Sequence, residues 1–212
     1  GEAQKLHAVS YEEMLEMAAS GAKVLQLRSV ELARGHGVKL HVRSSFSDAD
    51  GTWIREEDER MLEKAIISGV THTLEESVYR VEGVDAARLF QALSEAEVSV
   101  DTIVQTGPEI VFSGPSSDAA DTARALDELG VSWTSRDDLG KVSVIGAGMK
   151  THPGVASRTF ATLAELGIEP EIVSTSPIKI ACFVDRDRVE EAVRALHSAF
   201  ELEAEEAVRA HD

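Results

Sequence analysis

The chain repeats itself at a fixed offset, and this constrains its fold more than any other feature. Arg88, Phe90, Leu93 and Glu95 recur 70 residues later as Arg158, Phe160, Leu163 and Glu165. Arg124-Ala125-Leu126 recurs as Arg194-Ala195-Leu196 at the same spacing. A repeat of this length defines a folding unit, so one small fold must be built twice. Upstream the offset falls to 64, because residues 78–83 align with residues 142–147. The first copy has therefore lost six residues (70 minus 64) between its first strand and its first helix. The second copy keeps them in the loop Gly146-Ala-Gly-Met-Lys-Thr-His-Pro-Gly154. Strand-to-helix loops carry chemistry, so this asymmetry is the main functional clue.

Each copy reads strand, helix, strand, strand, helix. In the second, residues 141–145 form a short β-type run ending at glycines, and Pro153 opens a helix. Ala156, Phe160, Leu163 and Leu166 give that helix an apolar stripe, and Gly167 stops it. Residues 171–176 and 178–184 have strand character. Val189, Ala192, Val193, Leu196 and Phe200 then follow helical spacing. The first copy matches through Ala86, Phe90 and Leu93, then Ala119, Ala123 and Leu126, with residues 131–135 as its closing strand. The order β-α-β-β-α-β predicts an α+β fold of tandem ferredoxin-like units, with both helices on one sheet face. The bare face must be covered, so two units should pair within the chain or across a dimer. Phe90, Leu93, Phe160, Leu163, Leu196 and Phe200 are the expected core. The boundaries follow as residues 56–140 for the first unit and 141–212 for the second.

Residues 1–55 stand apart. Residues 11–19 form an amphipathic helix with Ser10 as N-cap and Glu13 completing a capping box. Residues 29–34 form another helix and residues 38–43 a strand. This segment is too short to close a core of its own, and acidic residues 47–59 read as a connector. Its opening residues suggest a piece of a longer protein. Lys and Arg number 21 against 38 Asp and Glu, a net charge of −17. Such a charge repels phosphate backbones and anionic lipid, so neither nucleic acid nor membrane is an expected partner. No apolar run is long enough to span a bilayer, and the expected location is cytoplasmic. Cys182 is alone in an apolar run, which excludes an internal disulfide and points to a buried core residue. Gly146 and Gly148 do not continue into a dinucleotide fingerprint, and the seven histidines show no metal-ligand spacing.

A resemblance carries the reading further. Lys141-Val-Ser-Val-Ile-Gly-Ala-Gly-Met-Lys-Thr-His-Pro-Gly-Val155 resembles the start of the last ACT unit of aspartate kinases, and Glu171-Ile-Val-Ser-Thr-Ser176 the strand that follows. Residues 9–25, Arg28-Ser29-Val30, Val42-Arg-Ser-Ser-Phe46 and Gly51-Thr52 are similar to the closing part of that family's amino-acid-kinase domain. The match is with the actinobacterial type, in which a regulatory subunit is also made separately. The resemblance implies tandem ACT units preceded by a short remnant of an α/β kinase domain. The complete enzyme phosphorylates the β-carboxylate of aspartate with Mg·ATP, opening the route to lysine, threonine and methionine. Of the family's ATP-binding positions only Lys23 and Val24 are matched here. Phosphoryl transfer depends on positioning many groups at once, so this chain alone is not expected to catalyse or to hold a cofactor.

In the family the feedback effector sits where a strand–helix loop of one ACT unit meets strands of its neighbour. Backbone N–H groups at a helix N-terminus suit an amino-acid carboxylate, and strand carbonyls suit its ammonium. The resemblance implies that Gln105, Val155, Ala156, Glu169, Pro170, Thr175 and Ser176 line that site, with lysine or threonine as ligand. Three departures fall on these contacts. The first unit's loop is deleted, leaving Val84-Asp85; Thr106 replaces an asparagine; and Glu169-Pro170 replaces an Asn-Ile pair. We therefore expect lysine and threonine to bind weakly or not at all. The alternative is a non-catalytic ACT scaffold that has lost its effector. The expected partners are a second copy of the chain or a full-length catalytic subunit.

Overall fold

The computed structural model of the chain describes residues 5–57, 67–150, 152 and 154–202. Three bodies follow one another. The first comprises β1 (Ala8–Ser10), α1 (Tyr11–Ala19), α2 (Leu27–Gly35), β2 (Leu40–Val42) and β3 (Thr52–Arg55), with sheet order β1-β3-β2. Ser10 caps α1 by accepting from the Glu13 N–H at 3.2 Å, and Glu13 accepts the Ser10 N–H at 3.0 Å, as the capping-box spacing requires. One expectation needs correction. Residues 47–59 are not all connector, because Thr52–Arg55 is the central strand of this sheet; its flanking acids hid a strand only four residues long. Val9, Tyr11, Met14, Met17, Val30 and Ile54 form a core that Ile145 from far downstream completes, so the segment does not close it alone.

After β4 (Gly69–Thr73) come β5 (Glu76–Glu82), α3 (Ala86–Glu95), β6 (Ile103–Thr106), β7 (Glu109–Pro115), α4 (Ala119–Leu129) and β8 (Ser132–Arg136). Then follow β9 (Leu139–Ile145), α5 (Val155–Glu165), β10 (Ile172–Ser176), β11 (Lys179–Asp185) and α6 (Val189–Ala199). Elements β5 to β8 form one antiparallel sheet in the order β6-β7-β5-β8. Tyr79, Val81, Ile110 and Phe112 of its inner face pack on Leu89, Leu93, Ala125 and Leu126 of α3 and α4. This is the ferredoxin-like unit expected from the repeat.

The second unit is assembled differently from expectation. Its sheet order is β10-β11-β9-β4, and β4 pairs antiparallel with β9 from Gly69↔Ile145 to Thr73↔Lys141. The strand that closes the second unit therefore precedes the whole first unit, which is inserted between β4 and β9. The boundary at residue 56 is corrected accordingly: residues 69–73 belong with 139–199. Pro153, expected to open the first helix of this unit, lies outside the described residues; α5 begins at Val155.

The bare face of the second sheet is shared between two neighbours. Leu139, Ile172 and Phe183 meet Val78 and Val111 of the first unit, while Ile145 faces the N-terminal body. Charge flanks the apolar contact between the units. Lys141, 1% exposed, binds Glu76 and also Asp101 at 2.5 Å. Toward the other side Glu171 meets Arg80 at 3.0 Å and Arg136 at 2.5 Å.

The core matches expectation at Leu93, Leu163 and Leu196 but not at Phe160, which is 38% exposed. α5 buries Val155, Thr159 and Leu163 instead. The Thr159 hydroxyl donates to the Val155 carbonyl at 2.9 Å, so a threonine can occupy the apolar stripe without an unmet donor.

Candidate functional site

Strand register places the candidate residues. In the second unit Ile145 pairs with Lys179, and Lys179 with Ser176. Ser176 and Thr175 therefore lie at the end of the sheet where β9 runs into the loop that leads to α5. Val155 and Ala156 form the first turn of that helix, Val155 buried and Ala156 exposed. These four residues share one end of the unit. The Ser176 hydroxyl accepts the Ile178 N–H at 3.3 Å, tightening the β10–β11 turn. Thr175 is exposed and open to a ligand.

The remaining candidates lie elsewhere. Glu169 and Pro170 precede β10, whose first residue Ile172 pairs with Phe183 at the opposite end of the strand from Ser176. A five-residue strand spans about 13–17 Å, so within this unit they lie at the opposite end from Ser176. Gln105 is exposed on β6, an edge strand of the other sheet, and no strand pairing joins β6 to β10. Its register partner is Ile110, itself opposite Val81, so Gln105 sits beside the shortened Val84-Asp85 loop.

The two helix N-termini differ in a way that the deletion explains. In the first unit Asp85 is the N-cap of α3, and its carboxylate accepts the Arg88 N–H at 3.0 Å. A side-chain carboxylate thus occupies the place where a ligand carboxylate would bind. In the second unit the N-cap is Gly154, which has no side chain to offer. Among the described residues no side chain caps the first turn of α5, where the helix dipole places partial positive charge. Asp85 stood in the sequence as a deletion scar; its spacing three residues before Arg88 was the available signal of a cap.

Lys23 and Val24 lie in the exposed link between α1 and α2, on the wall of a cleft of about 730 Å³. Glu75, Glu76, Asp101, Ser99 and Pro115 line the facing side. Lys23 is 3.6 Å from Glu75. Glu75 pairs with Lys23, and Glu76 and Asp101 pair with Lys141, so two lysines meet the three carboxylates of this cleft. Among the described residues no cluster of His, Cys, Asp and Glu could hold a metal ion, and no helix is long and apolar enough to cross a membrane. Cys182 is 1% exposed, and burial pushes its thiol up to about 12, which makes it an inert core residue.

Comparison with known proteins agrees with this architecture. The family profile of the ACT domain matches residues 142–200. Aspartokinase from Corynebacterium glutamicum is 40% identical over 222 residues, covering 96% of this chain and 53% of that protein. Aspartokinase from Mycolicibacterium smegmatis is 43% identical over 220 residues, covering 94% and 52%. The chain thus spans about half the length of these relatives. The ligand-free regulatory subunit of aspartate kinase from Thermus thermophilus superposes with a TM-score of 0.61 at 31% identity. That likeness covers 65% of this chain and 99% of the other. With one ACT unit inserted into the other and this level of identity, the chain belongs to the aspartokinase family and corresponds to its regulatory ACT-domain portion.

Proposed function

We propose that the chain senses an end-product amino acid, of which lysine and threonine are the first candidates, at the α5 end of its second ACT unit. The carrying observation is that α5, beside Thr175 and Ser176, has a glycine N-cap and no side-chain cap among the described residues, whereas α3 is capped by Asp85. First-turn amides take the ligand carboxylate, and the hydroxyls and carbonyls of β10 take its ammonium. The first unit, closed by its own carboxylate, acts as scaffold. The chain is non-catalytic alone; the complete enzyme would supply Mg·ATP and aspartate sites for phosphorylation of the aspartate β-carboxylate.

Assembly belongs to the same proposal. β6 and β10 each end a sheet, and they expose Ile103 and Val173. Unpaired edges of this kind need covering. A second copy of the chain, or a full-length aspartokinase subunit, would do so and bring Gln105 of one copy toward Thr175 and Ser176 of another.

Residue-resolved amide NMR tests the site. Titration with lysine or threonine up to about 10 mM should shift the Val155, Ala156, Thr175 and Ser176 amides and leave residues 86–88 unmoved. If neither amino acid moves the α5 amides, or if the shifts fall on α3, the sensing role is wrong and the scaffold reading replaces it.

A further inference from the structure

Helix α1 touches the proposed sensing end of the second unit through two acidic side chains. Glu13, only 5% exposed, uses both carboxylate oxygens. Oε2 accepts the Ser10 N–H at 3.0 Å and the Ser10 hydroxyl at 2.8 Å, completing the cap of α1. Oε1 faces the other way. It accepts the Ala147 N–H at 2.9 Å, across 134 residues of sequence, and the hydroxyl of Ser68 just before β4. A capping box needs only the first oxygen. One turn along the helix, Glu16 meets Lys179 at 2.9 Å.

These contacts continue a chain of hydrogen bonds. The Ser176 hydroxyl accepts from the Ile178 N–H, and the Ile178 carbonyl accepts from the Gly146 N–H at 3.0 Å. The next amide, Ala147, donates to Glu13. The first residues of the strand-to-helix loop are therefore tied on one side to the β10–β11 turn and on the other to α1. Met17 and Ile145 pack beside this link in a shared core, so the helix rests on the end of the sheet rather than swinging free.

We propose that Glu13 is the positioning residue through which the loop of the second ACT unit sets the position of α1, with the Glu16–Lys179 pair as a second tie. This rests on reading that end of the unit as the sensing end. A ligand that draws the α5 first turn and the Gly146-Ala147 backbone toward itself changes the demand on the Ala147 N–H, and Glu13 passes that change to the first helix of the N-terminal body. Coupling through a short run of discrete hydrogen bonds has this physical form: one element with two neighbours that each bias it.

Amide hydrogen exchange on the full chain tests the link without needing a ligand. Glu13→Ala should raise exchange of the Ala147 amide about tenfold or more, while β5–β7 of the first unit keeps its rates. Ser10→Ala removes half of the cap but leaves the Ala147 bond; it should loosen the first turn of α1 and leave Ala147 unchanged. Lys179→Met, which alters the second unit alone, should raise exchange in α1. If Glu13→Ala does not fold, Glu13→Met, which fills the same space without acceptor oxygens, takes its place with the same expected and contrary results at Ala147. Ala147 exchange unchanged by Glu13→Ala, or moved equally by Ser10→Ala, would reduce Glu13 to a helix cap; unchanged α1 exchange in Lys179→Met would remove the second tie. A final arm separates this from the sensing proposal. If lysine or threonine shifts Val155, the same ligand should alter α1 exchange in the native chain and not in Glu13→Ala. If no ligand binds, the ligand-free arms stand on their own.

Discussion

Lys141 shows how a single buried charge can orient two units. Burial would push its pKa down, but Glu76 and Asp101 hold it above the ordinary lysine range. Asp101 is also desolvated, yet the hydrogen bond and charge of Lys141 keep its carboxyl below its usual range. Burial opposes ionisation of Glu13 as well, and hydrogen bonds from Ser68, Ala147 and Ser10 outweigh it, leaving that carboxyl lowered. The sign for stability follows. Lowered carboxyl pKa values add stability that is complete above the unfolded values, about 3.9 for Asp and 4.3 for Glu, and is lost as pH falls through the folded ones. The raised Lys141 value adds stability that is complete below about 10.4 and is lost as pH rises through its folded pKa. Urea unfolding midpoints should therefore be nearly flat from about pH 5 to 9 and fall on the acid side below about pH 4.5. A midpoint that rises on going from neutral to acid would contradict this assignment of the three groups. The acid contribution of Glu13 also means that the tie between α1 and the second unit weakens in the same window.

At the scale of elements, the repeat was legible and its phase was not. The constant offset identified both units and placed Leu93 and Leu163, which are each 1% exposed. It also matched Phe90 with Phe160, and a shared aromatic suggested a shared core. In the structure Phe90 packs edge-on against Phe112 at 6.2 Å, whereas Phe160 lies on the flank of α5. The true stripe runs through Thr159, a residue that a hydropathy pattern scores as polar because the pattern cannot see its hydroxyl bond to Val155. Leu163→Ala should cost about 2–5 kcal/mol in chemical denaturation. Phe160→Ala should cost under about 1 kcal/mol, the usual range for a surface change. Equal losses at the two positions would show that the helix is rotated from the position described here. β4 escaped notice for a different reason. Gly69-Val-Thr-His-Thr73 is short and half polar, and its partner β9 lies 70 residues downstream, so no local pattern announces the pairing. The candidate site was legible in part for the same reasons: Val155, Ala156, Thr175 and Ser176 converge by strand register, while Glu169 and Pro170 were separated from them by the length of one strand. Asp85 was visible in sequence as the residue left by a deletion, but its role as a carboxylate cap needed the helix start to be seen.

For the whole molecule, three bodies meet on one sheet. The second unit presents its bare face to the first unit at Leu139 and Phe183 and to the N-terminal body at Ile145. Any shift of that sheet is felt by both neighbours, which suits a regulatory part whose task is to pass a binding event onward. The two units share a fold but differ where their first helices start: Asp85 caps α3, and the N-cap of α5 is Gly154. Two identical repeats would bind two ligands per chain, and a chain with both sites lost would bind none. Isothermal titration with lysine and with threonine reads this difference directly. At least one of them should bind saturably at one amino acid per chain, with a Kd of about 1 mM because only one unit supplies its half of the contacts. Two ligands per chain, or no saturable heat with either amino acid at concentrations well above that value, would contradict it.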